Sequence, residues 1–316
     1  MRIIFMGTPD IAASVLDAII KAGHEVAAVY TQPDKPKGRG KSMQYTPVKE
    51  KALEYDIPVF QPVKVGEPSV VEEIRGYAPE VIVVVAFGQL LPETILNMPP
   101  LGCINVHASL LPKYRGAAPI QRVIIDGEKI SGVTTMYMAK GLDTGDMIEK
   151  LPVPIDEKET GGSYYDKITE AGARLCVSTL DKLEKGTAER IPQDDSQSCY
   201  AHKLTKEMGE LDFSQDAATL ERLIRGLNPT PSAYSHLNGK TLKIFEADVV
   251  EGDKTKAPGT IVSVDKKSFV IQCGVKALKI LELQLEGKKR MQTSAFLLGY
   301  TITPGMELSN IKKEEN

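Results

Sequence analysis

The chain has 316 residues, with 39 Lys and Arg against 42 Asp and Glu (formal charge −3), 42% hydrophobic and 26% charged residues. That length predicts about two domains. A mean hydropathy of −0.17, with no run near the ~18 apolar residues of a membrane span, argues against a membrane protein. The N-terminus lacks the pattern of a signal peptide, so a cytoplasmic protein is expected. Cys103, Cys176, Cys199 and Cys273 show no Cys-x-x-Cys spacing. They are too few for a disulfide framework, which excludes a secreted disulfide scaffold and a cysteine zinc site.

In chain order, Arg2–Met6 reads as a strand, and Asp10–Ala22 as a helix with Ile11, Val15 and Ile19 on one face and Gly23 ending it. A strand at Glu25–Thr31, a helix at Pro47–Tyr55, a short strand at Val59–Phe60, a helix at Pro68–Tyr77 and a strand at Glu80–Phe87 follow. The β-branched run Val81-Ile82-Val83-Val84-Val85 fits a strand buried on both faces of a parallel sheet. Gly102–Val106 is a further strand, and the alternation predicts a doubly wound, mostly parallel α/β domain.

Beyond it, the strands Val133–Met138 and Met147–Pro154 bracket the turn-rich Gly141–Asp146, and a helix runs from Ser163 to Leu183. The stretch rich in Gln, Asp, Ser and Pro after it reads as a linker. The expected layout is a catalytic domain over 1–189, a linker over 190–206 and a second domain over 207–316. That second domain has a helix at Asp216–Leu227, then short strands at Thr241–Val250, Gly259–Val264, Ser268–Cys273 and Ala277–Leu285. Strands at this spacing predict a small β-barrel, of which the oligonucleotide-binding (OB-like) type is one.

Three stretches carry chemistry. Asn105 and His107 lie where a buried-type strand ends, and ligands in open α/β sheets sit beyond the carboxyl ends of strands. The period of two points both side chains to one face; a rim histidine and a turn asparagine are equally compatible. Gly141-Leu142-Asp143-Thr144-Gly145-Asp146 is either turn chemistry or a turn that carries Asp143 to His107. Together Asn105, His107 and Asp143 would form an oxyanion site without a protein nucleophile, which is acyl-transfer chemistry with an amine attacking. No second ligand lies near His107, so no metal is expected. The third stretch, Gln32–Thr46, carries Lys35, Lys37, Arg39 and Lys41, a solvated loop or one that meets a phosphate-bearing partner. Gly40-Lys41-Ser42 lacks the glycine a P-loop needs at position 35, and Gly-x-Gly-x-x-Gly is missing after the first strand, so neither a nucleotide triphosphatase nor a dinucleotide dehydrogenase is expected.

Phe5-Met6-Gly7-Thr8-Pro9-Asp10, Thr31-Gln32-Pro33-Asp34, Asn105 to Gly116 with Ala117-Ala118-Pro119-Ile120, and Gly141 to Asp146 resemble the methionyl-tRNA formyltransferase family, over essentially the whole chain. Ala201, Lys203-Leu204 and Lys206-Glu207 resemble that family's interdomain segment. The resemblance implies a formyltransferase fold followed by an OB-like tRNA-binding domain. It implies transfer of a formyl group from 10-formyltetrahydrofolate to the α-amine of methionyl-initiator-tRNA; a monomer is expected. On it, Asn105, His107 and Asp143 are catalytic. Ser109, Leu110, Leu111 and Pro112 line the folate site, and the backbone of Phe87, Gly88, Gln89 and Leu90 holds the pterin. Lys37, Arg39, Lys41, Lys203 and Lys206 meet the tRNA. Thr230 and Phe213 replace an aromatic and a Trp that are usual in the family. The competing readings are a folate-dependent formyltransferase for a small amine, such as an amino-sugar nucleotide or purine precursor, and a non-catalytic folate or RNA binder.

Overall fold

Apolar runs in the first half form one sheet, as their β-branched composition predicts. The computed structural model describes residues 1–37 and 42–309. Its strands up to residue 201 are β1 (Arg2–Gly7), β2 (Glu25–Tyr30), the hairpin β3 (Lys35–Lys37) and β4 (Ser42–Gln44), β5 (Val59–Phe60), β6 (Val81–Val85), β7 (Cys103–His107), β8 (Arg115–Gly116), β9 (Ile130–Tyr137), β10 (Met147–Pro154) and β11 (Tyr200–Ala201). Between them run α1 (Asp10–Lys21), α2 (Pro47–Glu54), α3 (Pro68–Gly76), α4 (Glu93–Leu96), α5 (Pro119–Ile125) and α6 (Gly161–Glu184).

Seven strands pair in the order β10-β9-β7-β6-β1-β2-β5. The five from β7 to β5 are parallel; at one edge β9 pairs antiparallel with β7, and β10 antiparallel with β9. All five residues of β6 are buried. Ile4, Met6, Ile82 and Val84 pack with Val71 and Ile74 of α3 on one face, while Ile3 and Phe5 are fully buried on the other. Local signals set the helix starts: Thr46 Oγ1 accepts from Lys49 N at 3.2 Å, and Pro47 occupies the first turn of α2, where its missing N–H has no cost. From β1 the chain adds β2 and β5 on one side, then returns to add β6 and β7 on the other, so β1 and β6 meet at a topological switch point. Ligands bind in α/β sheets beyond the carboxyl ends of strands at such a point.

Two compact units divide the chain: residues 1–119, 130–154 and 165–201 in one, 120–129, 155–164 and the part from 202 onward in the other. In the second unit, α7 (Ala217–Gly226) is followed by β12 (Ala233–Leu237), β13 (Lys240–Val250), β14 (Ile261–Val264), β15 (Phe269–Gln272), β16 (Ala277–Leu285), β17 (Met291–Gln292) and α8 (Thr293–Leu297). The sheet order is β12-β13-β16-β15-β14, antiparallel throughout. Its two edges are joined by the chain near residue 305: Ile261 N donates to Met306 O and Leu308 N to Gly259 O, while His236 N donates to Ser309 O. That seam closes the sheet on itself around Leu242, Ile244, Phe269, Ile271, Leu278 and Ile280, and closure removes the exposed edges an open sheet would carry.

Nine of these elements escape the sequence reading. The strands β3, β4, β8, β11 and β17 have two or three residues each, α4 has one turn, α5 is seven residues ending in a β-branched run, α8 has five residues, and β12 is short and follows a Pro-rich stretch, so none has a legible period.

Candidate active site

Register places the two residues singled out on β7. Asn105 pairs with Val84 on β6 and with Met136 on β9, and His107 pairs with Thr134. Because Cys103, Asn105 and His107 alternate with buried Ile104 and Val106, they share one sheet face, at the end of β7 that opens toward the switch point. Cys103 is no candidate nucleophile: burial pushes its thiol up to about 12, and Sγ donates to Ile95 O at 3.5 Å.

His107 is held from both ring nitrogens. Nε2 donates to the carbonyl of Tyr114 at 2.9 Å, leaving Nδ1 toward Asp143, whose Oδ2 lies 3.7 Å away. That is an ion-pair distance rather than a hydrogen bond. Their side chains are only 7% and 13% exposed, so water screens the pair little. Asp143 Oδ2 also accepts from Gly116 N at 2.7 Å. Its backbone has φ +51°, a conformation an Asp reaches at modest cost in a tight turn. Asn105 differs from its neighbours: its amide is half-buried and has no hydrogen-bond partner among the described residues.

The loop from Ser109 to Pro112 divides by burial. Ser109 is fully buried with Oγ donating to Lys113 O at 2.7 Å, and Leu111 packs with Met136 and Met147. Thr134 braces the loop, donating to Ser109 O at 2.7 Å and accepting from Leu111 N at 3.1 Å. Leu110 and Pro112 are left half-exposed. Beyond β6, Phe87 is buried, and its carbonyl accepts from Thr8 Oγ1 at 3.1 Å and Gln32 Nε2 at 3.0 Å. Gln89 is spent on the scaffold, donating to Pro62 O and accepting from Val65 N. The backbone groups of Gly88, Gln89 and Leu90 pair with nothing else among the described residues, which leaves an edge of free donors and acceptors suited to a flat heterocycle.

Lys203 and Lys206 are exposed in the second unit. Lys37 ends β3 by its backbone, and Arg39 and Lys41 lie outside the described residues. Four residues that hold His107 or Asp143 were not assigned a role from the sequence: Tyr114 bonds His107, Gly116 and Gln193 bond Asp143, and Arg115 donates to Gln193. Tyr114, Arg115 and Gly116 sit inside the motif that carried the resemblance. Gln193 lies in an aperiodic segment where no local signal marks it. Among the described residues no cluster of His, Cys, Asp and Glu could hold a metal ion, and no helix is long and apolar enough to cross a membrane.

A family profile described as formyl transferase matches residues 1–180, and one described as formyl transferase, C-terminal domain, matches residues 203–301. The methionyl-tRNA formyltransferase of Agathobacter rectalis is 55% identical over 305 residues, 96% of this chain and 98% of that protein. That of Clostridioides difficile is 49% identical over 308 residues, 98% of this chain and 100% of that one. The chain belongs to the methionyl-tRNA formyltransferase family. Solved structures also share its fold at low identity. HypX from Aquifex aeolicus in complex with tetrahydrofolic acid aligns with TM-score 0.62 and 21% identity over 95% of this chain and 47% of that one. WlaRD, a sugar 3N-formyl transferase, aligns with TM-score 0.65 and 18% identity over 92% and 99%.

Proposed function

We propose that this chain moves the formyl group of 10-formyltetrahydrofolate to the α-amine of methionyl-initiator-tRNA, acting as a cytoplasmic monomer. The observation that carries the reaction is Asn105, whose amide has no partner among the described residues, beside a buried imidazole and a largely buried carboxylate, on a strand next to the switch point. The folate supplies the one-carbon unit. The backbone of residues 88–90, unpaired among the described residues, is where its pterin fits, and Leu110 and Pro112 present the half-exposed wall for the rest.

Asn105 donates to the formyl oxygen as the amine attacks and negative charge builds there; one such donor contributes about 3–4 kcal/mol to the transition state. His107, fixed at Nε2 by Tyr114, presents Nδ1 as the second polar group. Asp143 accepts the proton that the attacking amine must lose, and its buried position keeps that charge beside His107. Return of a proton to the leaving nitrogen restores the site. Lys37, Arg39, Lys41, Lys203 and Lys206 are the cations assigned to the tRNA phosphates.

Transfer of radiolabelled formyl from 10-formyltetrahydrofolate to methionyl-initiator-tRNA tests this, with uncharged tRNA and an amino-sugar nucleotide run in parallel. Label on the charged tRNA alone is expected. Label on the sugar nucleotide alone would leave the trio standing and overturn the acceptor.

A further inference from the structure

We infer that Gln193 is a positioning residue for Asp143, tying the segment after α6 to the turn that carries the carboxylate. The inference rests on Asp143 acting at the reacting centre. The side chain of Gln193 uses every polar group it has. Nε2 donates to Asp143 O at 2.8 Å and to Gly145 O at 2.7 Å, while Oε1 accepts from Arg115 Nε at 3.1 Å and from its terminal nitrogen at 2.8 Å.

Arg115 is what gives this arrangement its rigidity. Its side chain is 3% exposed, so its charge must be met where it lies. Gln193 Oε1 accepts from its Nε and Nη2, and Asp195 Oδ1 accepts from the same Nη2 at 2.7 Å. The next residue, Gly116, donates its N–H to Asp143 Oδ2. Asp143 is therefore clamped twice by one short stretch of β8, at its carboxylate through Gly116 and at its own carbonyl through Arg115 and Gln193. The pairing of β8 with β11, Arg115 to Tyr200 and Gly116 to Ala201, anchors the far end of the Gln193 segment. A turn with Asp143 at φ +51° has no regular ladder to hold it, and Gln193 supplies the two bonds in its place.

A substitution separates this role from that of satisfying the Arg115 donors. Gln193→Glu keeps, and strengthens, the acceptor for the guanidinium, but removes the donor and sets a carboxylate against two carbonyl oxygens. If Gln193 served only to satisfy Arg115, Gln193→Glu would be as active as the parent. The expected result is a kcat at least tenfold lower in formyl transfer to methionyl-tRNA. KM for 10-formyltetrahydrofolate should stay within about twofold and the circular dichroism spectrum should not change. Gln193→Ala should also lose kcat, with some loss of thermal stability from the stranded Arg115.

The double variant decides whether the effect runs through Asp143. Gln193→Glu placed on Asp143→Ala should cost no more than about twofold beyond Asp143→Ala alone, because groups that act as a unit are not additive. Full multiplicative losses in the double variant, or an undiminished kcat in Gln193→Glu, would overturn the positioning role while leaving the reaction intact. A fully active Asp143→Ala would instead remove Asp143 from the reacting centre and the inference with it.

Discussion

Asn105 is the residue at which folding and chemistry separate most cleanly. Its amide has no hydrogen-bond partner among the described residues and its neighbours Ile104 and Val106 supply the strand's burial. Asn105→Ala should therefore keep the parent melting temperature within about 1 °C, yet lower kcat by 10²–10³, the usual loss for an oxyanion donor. A variant that melts lower by several degrees with kcat intact would assign Asn105 to the scaffold. Gly145 shows the opposite balance. A Cβ there would stand 1.7 Å from the carbonyl oxygen of Tyr137, so the Asp143 turn closes on β9 only because that position has no side chain. Gly145→Ala should destabilise by about 1–3 kcal/mol in urea unfolding, as overpacking does, and should lower kcat as well because the same turn carries Asp143. Loss of stability without loss of kcat would mean that the turn can shift and still present its carboxylate.

At the scale of elements, what was legible in the sequence is what repeats. The period of two put Asn105 and His107 on one face of β7, and the unbroken β-branched run gave β6 its two buried faces. α7 was legible as a helix; it buries Leu220 and Ile224, and its start carries a side-chain cap. Asp216 is that cap, with Oδ1 accepting from Ala218 N at 2.9 Å. Asp216→Ala should cost the second unit about 1 kcal/mol in urea unfolding, and an unchanged midpoint would show that packing of Ala217, Leu220 and Ile224 alone sets the helix start. Contacts made far along the chain leave no such periodic mark. Gln193 reaches Arg115, 78 residues away, and Asp143, 50 residues away. The joint between β8 and β11 rests on two paired residues in each, too few for any pattern. The seam through Met306 and Leu308 that closes the second sheet is likewise a set of backbone bonds, which side-chain spacing does not encode.

The whole chain is not assembled as two beads in sequence order. Residues 120–129 and 155–164 belong to the same compact unit as the part from 202 onward, and their contacts are specific. Arg222 Nε donates to Ile125 O at 3.1 Å, Arg225 donates to Glu159 O at 2.7 Å, and Gly162 N donates to Asn228 O at 2.9 Å. α7 lies directly against α5 at Gly226, where an added Cβ would meet Ile125 Cγ1 at 2.5 Å. A chain ended after Ala201 thus loses the groups that receive α5 and the start of α6, and leaves the Ile125 side chain, the Ile125 and Glu159 carbonyls and the Gly162 N–H without these partners. Stranded polar groups and uncovered apolar surface both oppose a stable fold. The fragment 1–201 should then bind a hydrophobic dye strongly, aggregate at micromolar concentration and melt without a cooperative transition, although it holds Asn105, His107, Asp143 and Gln193. Adding the separately produced segment 202–316 should restore a cooperative melt if that segment supplies the missing partners. A fragment 1–201 that is monomeric and melts sharply on its own would mean that α5 and the 155–164 segment are carried by the first sheet instead.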